Sequence, residues 1–99
     1  MRVIARKILR DFWEKPTYAD AEQPLKSWFK LVEEADWEKP SEVKQALGNS
    51  SIVGDNRVVF NIAGNKYRLV AKINYPYRVV YIRFIGTHRQ YDSIEVTEI

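Results

Sequence analysis

The stretch that decides the fold is RVVFNIAGNKYRLVAKINYPYRVVYIRFIGT, residues 57–87. Its apolar residues recur at every second position, the period of a half-buried strand. Arg57–Ile62 reads as one strand, Asn65–Asn74 as a second and Arg78–Gly86 as a third. Ala63-Gly64 makes a tight turn in which Gly64 or Asn65 takes positive φ. Tyr75-Pro76-Tyr77 makes the next turn. Connections this short join antiparallel neighbours, so the three strands form a meander. Between Gly48 and Asn56 the chain reads as a polar loop.

Upstream the period changes to 3.6. Ile4, Ile8, Leu9, Phe12 and Trp13 share one helical face, and Lys15-Pro16 ends that helix. A second helix starts near Ala19–Ala21 with Asp20 as its cap, and it buries Leu25, Trp28, Phe29, Val32 and Ala35. Ser41 caps a short third helix that runs to about Leu47 and stops at Gly48. Arg2-Val3-Ile4 reads as a short edge strand. The order is a short strand, two to three helices, then three main strands. That order describes an α+β two-layer sandwich with helices packed on an antiparallel sheet.

At 99 residues the chain makes a single domain, residues 1–99, with one core. No apolar run approaches the roughly 20 residues of a membrane span. The N-terminal MRVIARKILRDFW is charged throughout and is not a signal peptide. Cysteine is absent and His88 is the single histidine, which removes thiol chemistry and argues against a zinc site. These features point to a cytoplasmic protein without a membrane partner.

The net charge of +3 is uninformative until it is divided by position. Residues 1–55 carry nine basic and ten acidic side chains. Residues 56–91 carry Arg57, Lys66, Arg68, Lys72, Arg78, Arg83 and Arg89, with seven aromatics and no Asp or Glu. Alternation puts Val58, Phe60, Ile62, Tyr67, Leu69, Ala71, Ile73, Val80, Ile82 and Phe84 toward the helices. It collects Arg57, Asn61, Lys66, Arg68, Lys72, Tyr81 and Arg83 on the other face. A cationic face without acids repels itself unless an anion sits there. Interleaved aromatics suit a polyphosphate with stackable bases. A sheet also collects Tyr and Arg for reasons of its own, and a β-bulge would flip the pattern beyond it.

The third strand runs into Gly86-Thr87-His88-Arg89-Gln90-Tyr91-Asp92. A helical turn capped by Thr87 would point His88 and Tyr91 the same way. RNA carries its own nucleophile, the ribose 2′-hydroxyl. Its cleavage needs a proton acceptor, a proton donor and cations for the phosphorane, and a lone imidazole with a tyrosine and arginines can supply these. His88 reads equally as a structural imidazole bonding a loop carbonyl, and Tyr91 as a ring packed under the sheet.

The strings RVVFNIAGNKYRLVAKINY and VVYIRFIGTHRQYD, with RDFWEKPTYADAEQPLKSWF and ADWEKPSEVK upstream, resemble the HigB group of type II toxins, relatives of the RelE superfamily. The resemblance implies a RelE-like α+β sandwich and a ribosome-dependent mRNA endoribonuclease that needs no metal and no cofactor. It implies a HigA-type helix-turn-helix antitoxin as partner, with operator DNA met only through that antitoxin. Matched position by position, Asn61, Arg68, Arg83, His88 and Tyr91 become the candidate catalytic residues. Arg57, Lys66, Lys72 and Arg89 become candidate RNA-backbone contacts. Two alternatives stay open: a non-catalytic RNA-binding module, and a domain whose basic face holds an acidic partner peptide.

Overall fold

The computed structural model describes residues 1–99. Its elements run β1 (Arg2–Ile4), α1 (Arg6–Trp13), a 3₁₀ segment (Pro16–Ala21), α2 (Glu22–Glu34), α3 (Pro40–Ala46), β2 (Ser51–Val53), β3 (Arg57–Ile62), β4 (Tyr67–Asn74), β5 (Val79–Thr87) and α4 (His88–Tyr91), with a last 3₁₀ turn at Val96–Glu98. The sheet order is β1-β5-β4-β3-β2. No helix is long and apolar enough to cross a membrane.

The three strands of the meander form as their alternation predicts. Two further strands extend them. The supposed loop contains β2, which pairs antiparallel with β3, and β1 lies parallel to β5. The sheet is therefore five-stranded and mixed: the edge strand expected at Arg2–Ile4 forms as β1, and β2 is the one strand beyond that expectation. Ser-Ile-Val is too short to display a period of two, and its strand character comes from its pairing with Arg57–Val59.

Helices α1 and α2 cover one face. The core comprises Leu9, Phe12, Trp13, Leu25, Trp28 and Val32 from the helices. It meets Val58, Phe60, Ile62, Tyr67, Leu69, Ala71, Ile73, Val80 and Ile82 from the sheet. Each such aliphatic side chain, fully withdrawn from water, stabilises the fold by about 1.5–3 kcal/mol. Ile8, predicted inside, is exposed, while Phe29 and Ala35 are half-buried at the margin.

The turns are sharper than expected. Ala63 joins Gly64 in the left-handed region, at φ 56° and 68°, and the pair reverses the chain with the twist a hairpin needs. At the β4–β5 turn the Asn74 side-chain oxygen accepts from the Tyr77 N–H (3.2 Å) and Arg78 takes φ 58°. Arg78 then reaches Asp36 (2.6 Å) and Glu38 (2.9 Å), which clamps this turn to the α2–α3 link.

Two capping expectations fail. α2 begins at Glu22 after the 3₁₀ segment, with no side-chain cap, and α3 begins at Pro40 rather than Ser41. Asp20 is occupied elsewhere: its carboxylate accepts from Lys66 and from the Tyr67 hydroxyl. The Lys66 and Tyr67 bonds hold the Asp20 carboxyl below its usual range.

A β-bulge interrupts the β4–β5 ladder. Val70 pairs with Phe84 and Ala71 with Ile82, which leaves Arg83 as the extra residue. Beyond it the faces exchange. Phe84, predicted inside, turns outward beside Val70, and Ile85 turns in against the core.

Candidate active site

The face of the sheet away from the helices has rows set by register. Asn61 lies opposite Arg68, and Arg68 opposite Gly86; Val59, Val70 and Phe84 form the next row; Arg57, Lys72 and Tyr81 form the third. Strands β3–β5 carry no carboxylate. Of the seven basic residues between positions 56 and 91, four keep no ion pair: Arg68, Lys72, Arg83 and Arg89. The other three are neutralised by acids from elsewhere in the chain. Arg57 is only 6% exposed and donates to the Asp55 carboxylate (2.7 Å) and carbonyl (3.0 Å) and to a main-chain oxygen of Ile99. Lys66 is held by Asp20, and Arg78 by Asp36 and Glu38.

The chain after α4 begins beside Arg68 and returns to Arg57, so it crosses this face. Ile94, Val96 and Ile99 are half-buried along it. Val59 and Val70, on the outer side of the sheet, are buried without belonging to the helix-side core.

Helix α4 places the corner. The Gln90 N–H donates to Thr87 Oγ1 (3.2 Å), and the Thr87 N–H donates to Gln90 Oε1 (2.9 Å). This is a reciprocal capping box, and Thr87-His88-Arg89-Gln90 is its sequence signature. Thr87 is the cap expected from the sequence, and Gln90 completes the box. Gln90 also bonds the Tyr18 hydroxyl (3.3 Å), which joins the turn to the 3₁₀ segment. Beneath it Gly86 leaves the space the box uses: a Cβ there would lie 2.6 Å from Gln90 Oε1 and 2.6 Å from the Phe84 ring, so both side-chain ends would have to shift.

On that turn the Tyr91 ring lies under the Arg68 guanidinium at 5.1 Å from the centroid, with Phe84 at 6.5 Å. A guanidinium over an aromatic face is held electrostatically while its N–H edges stay free to bind. Arg68 Nε and His88 Nε2 are both buried without a partner. Asn61 donates to the Asn49 carbonyl (3.0 Å), and its own side-chain oxygen is unpartnered. Buried polar atoms are normally satisfied; Trp28 Nε1, Arg57 Nε and the Tyr75 hydroxyl are unpartnered as well, so what distinguishes this corner is the Arg68–Tyr91 stacking.

The structure thus gathers Arg68 and Tyr91, with His88 on the same turn and Asn61 on the adjacent strand. It separates Arg83, whose guanidinium stacks on Tyr81 at 5.6 Å, beside Lys72. Arg89 is exposed on α4.

A family model described as HigB_toxin, RelE-like toxic component of a toxin-antitoxin system, matches residues 21–94. The mRNA interferase toxin HigB of Escherichia coli (strain K12) is 32% identical over 95 residues, covering 93% of this chain and 88% of that protein. The mRNA interferase HigB of Shigella flexneri aligns with the same figures. The mRNA interferase HigB of Escherichia coli O6:H1 is 28% identical over 72 residues, or 71% of this chain and 70% of that protein.

Proposed function

The chain belongs to the HigB family of RelE-like toxins, and from that premise we propose that it is an endoribonuclease that cuts mRNA on the translating ribosome. The observation that carries this reading is the capped turn α4. It carries the single histidine and Tyr91 to the end of a sheet whose strands β3–β5 have no carboxylate, with Tyr91 packed under an unpaired arginine.

The chemistry follows from those groups. His88 takes the proton of the ribose 2′-hydroxyl, and the 2′-oxygen bonds to the adjacent phosphorus. Arg68 donates to the phosphorane oxygens, whose charge it offsets in two-pronged fashion. Tyr91 passes its proton to the departing 5′-oxygen as the P–O5′ bond breaks. Asn61 orients the ribose. The products are a 2′,3′-cyclic phosphate and a 5′-hydroxyl, and no metal takes part. Lys72, Arg83 and Arg89 serve the RNA backbone. Arg57 and Lys66 serve the fold instead, because their charges are already met by Asp55 and Asp20.

The partner is an antitoxin of the HigA helix-turn-helix type, through which the complex meets its operator DNA in the cytoplasm. The purified chain is tested with translating ribosomes and end-mapping of the message. Codon-associated cuts bearing 5′-hydroxyl ends, abolished by a 2′-deoxy substitution at the cut nucleotide, are expected. Ends bearing 5′-phosphate would refute the 2′-hydroxyl mechanism, and RNA binding without cuts would favour the non-catalytic module.

A further inference from the structure

Four residues along β4 from Arg68 the outer face opens into a cleft of about 430 Å³, a volume typical of small-ligand sites. Its walls include Lys72, Arg83, Tyr81, Asn56 and Asn74, and the buried ring of Tyr75 forms part of its floor. No carboxylate lines it, and neither cation has an acidic partner. Two unpaired cations lining one cleft favour an anion there. The cleft is more than an anion site, however. The Arg83 guanidinium sits 5.6 Å from the Tyr81 centroid, which braces a half-exposed aromatic face. Asn74 spends its side-chain oxygen on the Tyr77 N–H, so its amide nitrogen remains free to donate. Cations, a braced ring and side-chain amides are what one nucleotide needs: phosphate contact, a stacking surface and base-edge hydrogen bonds. Lys72 lies about 13 Å from Arg68 along the strand at ~3.3 Å per residue. That exceeds a single base step of about 3.4 Å, so the nucleotide held here differs from the one cut at α4.

We propose that this cleft is a second nucleotide subsite, which binds one phosphate-and-base unit of the RNA strand flanking the cleaved nucleotide. Lys72 and Arg83 take the phosphate, the Tyr81 ring stacks on the base, and Asn56 and Asn74 read its edge. The assignment rests on the RNA-cleaving reading above.

The test uses an uncleavable 2′-O-methyl trinucleotide titrated into the isotopically labelled chain, with inorganic phosphate in parallel. Within the cleft, the trinucleotide is expected to shift the amides of Lys72, Asn74, Tyr81 and Arg83, and phosphate those of Lys72 and Arg83 but not of Asn74 or Tyr81. The Lys72→Ala, Tyr81→Leu double variant is expected to bind the trinucleotide at least tenfold more weakly, while Tyr81→Phe, which keeps the ring, binds as the wild type does. Shifts confined to Arg68, His88 and Tyr91, or equal shifts from phosphate alone, would overturn the subsite. Ribosomal cleavage by the wild type is scored separately. Cuts without cleft shifts remove the subsite and leave the nuclease; cleft shifts without cuts remove the nuclease and leave the subsite.

Discussion

Gly86→Ala is the sharpest test of how α4 is held. The backbone at Gly86 has no positive φ, so alanine meets no conformational barrier. In open space the change would stabilise the fold by about 0.4–1 kcal/mol through the unfolded chain. The new methyl would instead lie 2.6 Å from Gln90 Oε1, 2.6 Å from the Phe84 ring and 3.2 Å from Gln90 Cβ. Moving Gln90 breaks its bond to the Thr87 N–H, a capping contribution of about 1 kcal/mol. Displacing Phe84 and the turn adds about 1–3 kcal/mol of overpacking. The net is a loss of about 2 kcal/mol, which lowers the melting temperature of a domain this size by roughly 10 °C. Gly48→Ala, where a Cβ meets nothing within 4 Å, serves as the control and is expected to leave stability unchanged or slightly raised. In a thermal-melt double-mutant cycle, Gln90→Ala removes the close oxygen at the cost of the cap. The pair should therefore be less damaging than the sum by on the order of 1 kcal/mol. Strict additivity, or a Gly86→Ala variant as stable as the wild type, would show that Gln90 does not press on Gly86.

Three further outcomes are expected. Arg68→Lys keeps the charge but loses the planar fork and its stacking on Tyr91, so ribosomal cleavage should fall by about 10²-fold while the melting temperature holds; full activity would remove Arg68 from the site. Leu69→Ala, at a fully buried position, should cost about 2–5 kcal/mol in urea unfolding, and a loss below 1 kcal/mol would mean that β4 is not central. Burial pushes the phenols of Tyr67 and Tyr75 above their ordinary value. A raised folded pKa gives stability that is complete below the unfolded value of about 10 and is lost as pH rises through the folded one. Melting temperature should fall above about pH 10, and Tyr75→Phe should remove part of that slope; an unchanged slope would refute its burial as the cause.

The core was readable where strand alternation and short turns agreed. Val58, Phe60 and Ile62 on β3, and Tyr67, Leu69, Ala71 and Ile73 on β4, face the helices as their spacing requires. Phe84 was misplaced because a bulge arises from pairing between strands and leaves no local mark in IRFIG. The basic face was half legible. Alternation brought its cations together, yet the acids that neutralise Lys66 and Arg78 lie 46 and 40–42 residues away in sequence. Only the tertiary fold separates cations that hold the structure from those left for a ligand. The His88–Tyr91 turn was legible because a capping box is local chemistry. The Tyr81–Arg83 cleft was not, because it depends on the turn at Tyr75-Pro76 closing against β5.

The bulge at Arg83 also sets a rule of pairing for this part of the chain. Side chains before it can be exchanged one at a time with local effects. Removing Arg83 would restore a regular ladder and leave Phe84 opposite Val70 and Gly86 opposite Arg68, so everything downstream would keep its face. Taking Arg83 into the ladder opposite Val70 would instead rotate everything downstream by half a period. Phe84 would turn toward the helices, Ile85 toward water, and the strand end that launches α4 would leave from the opposite face. His88 and Tyr91 would still stand in the same order, behind the same capping box, yet no longer meet Arg68. Between Ala71 and Gly86 the site therefore depends on one residue being left out of the pairing as much as on which residues are there.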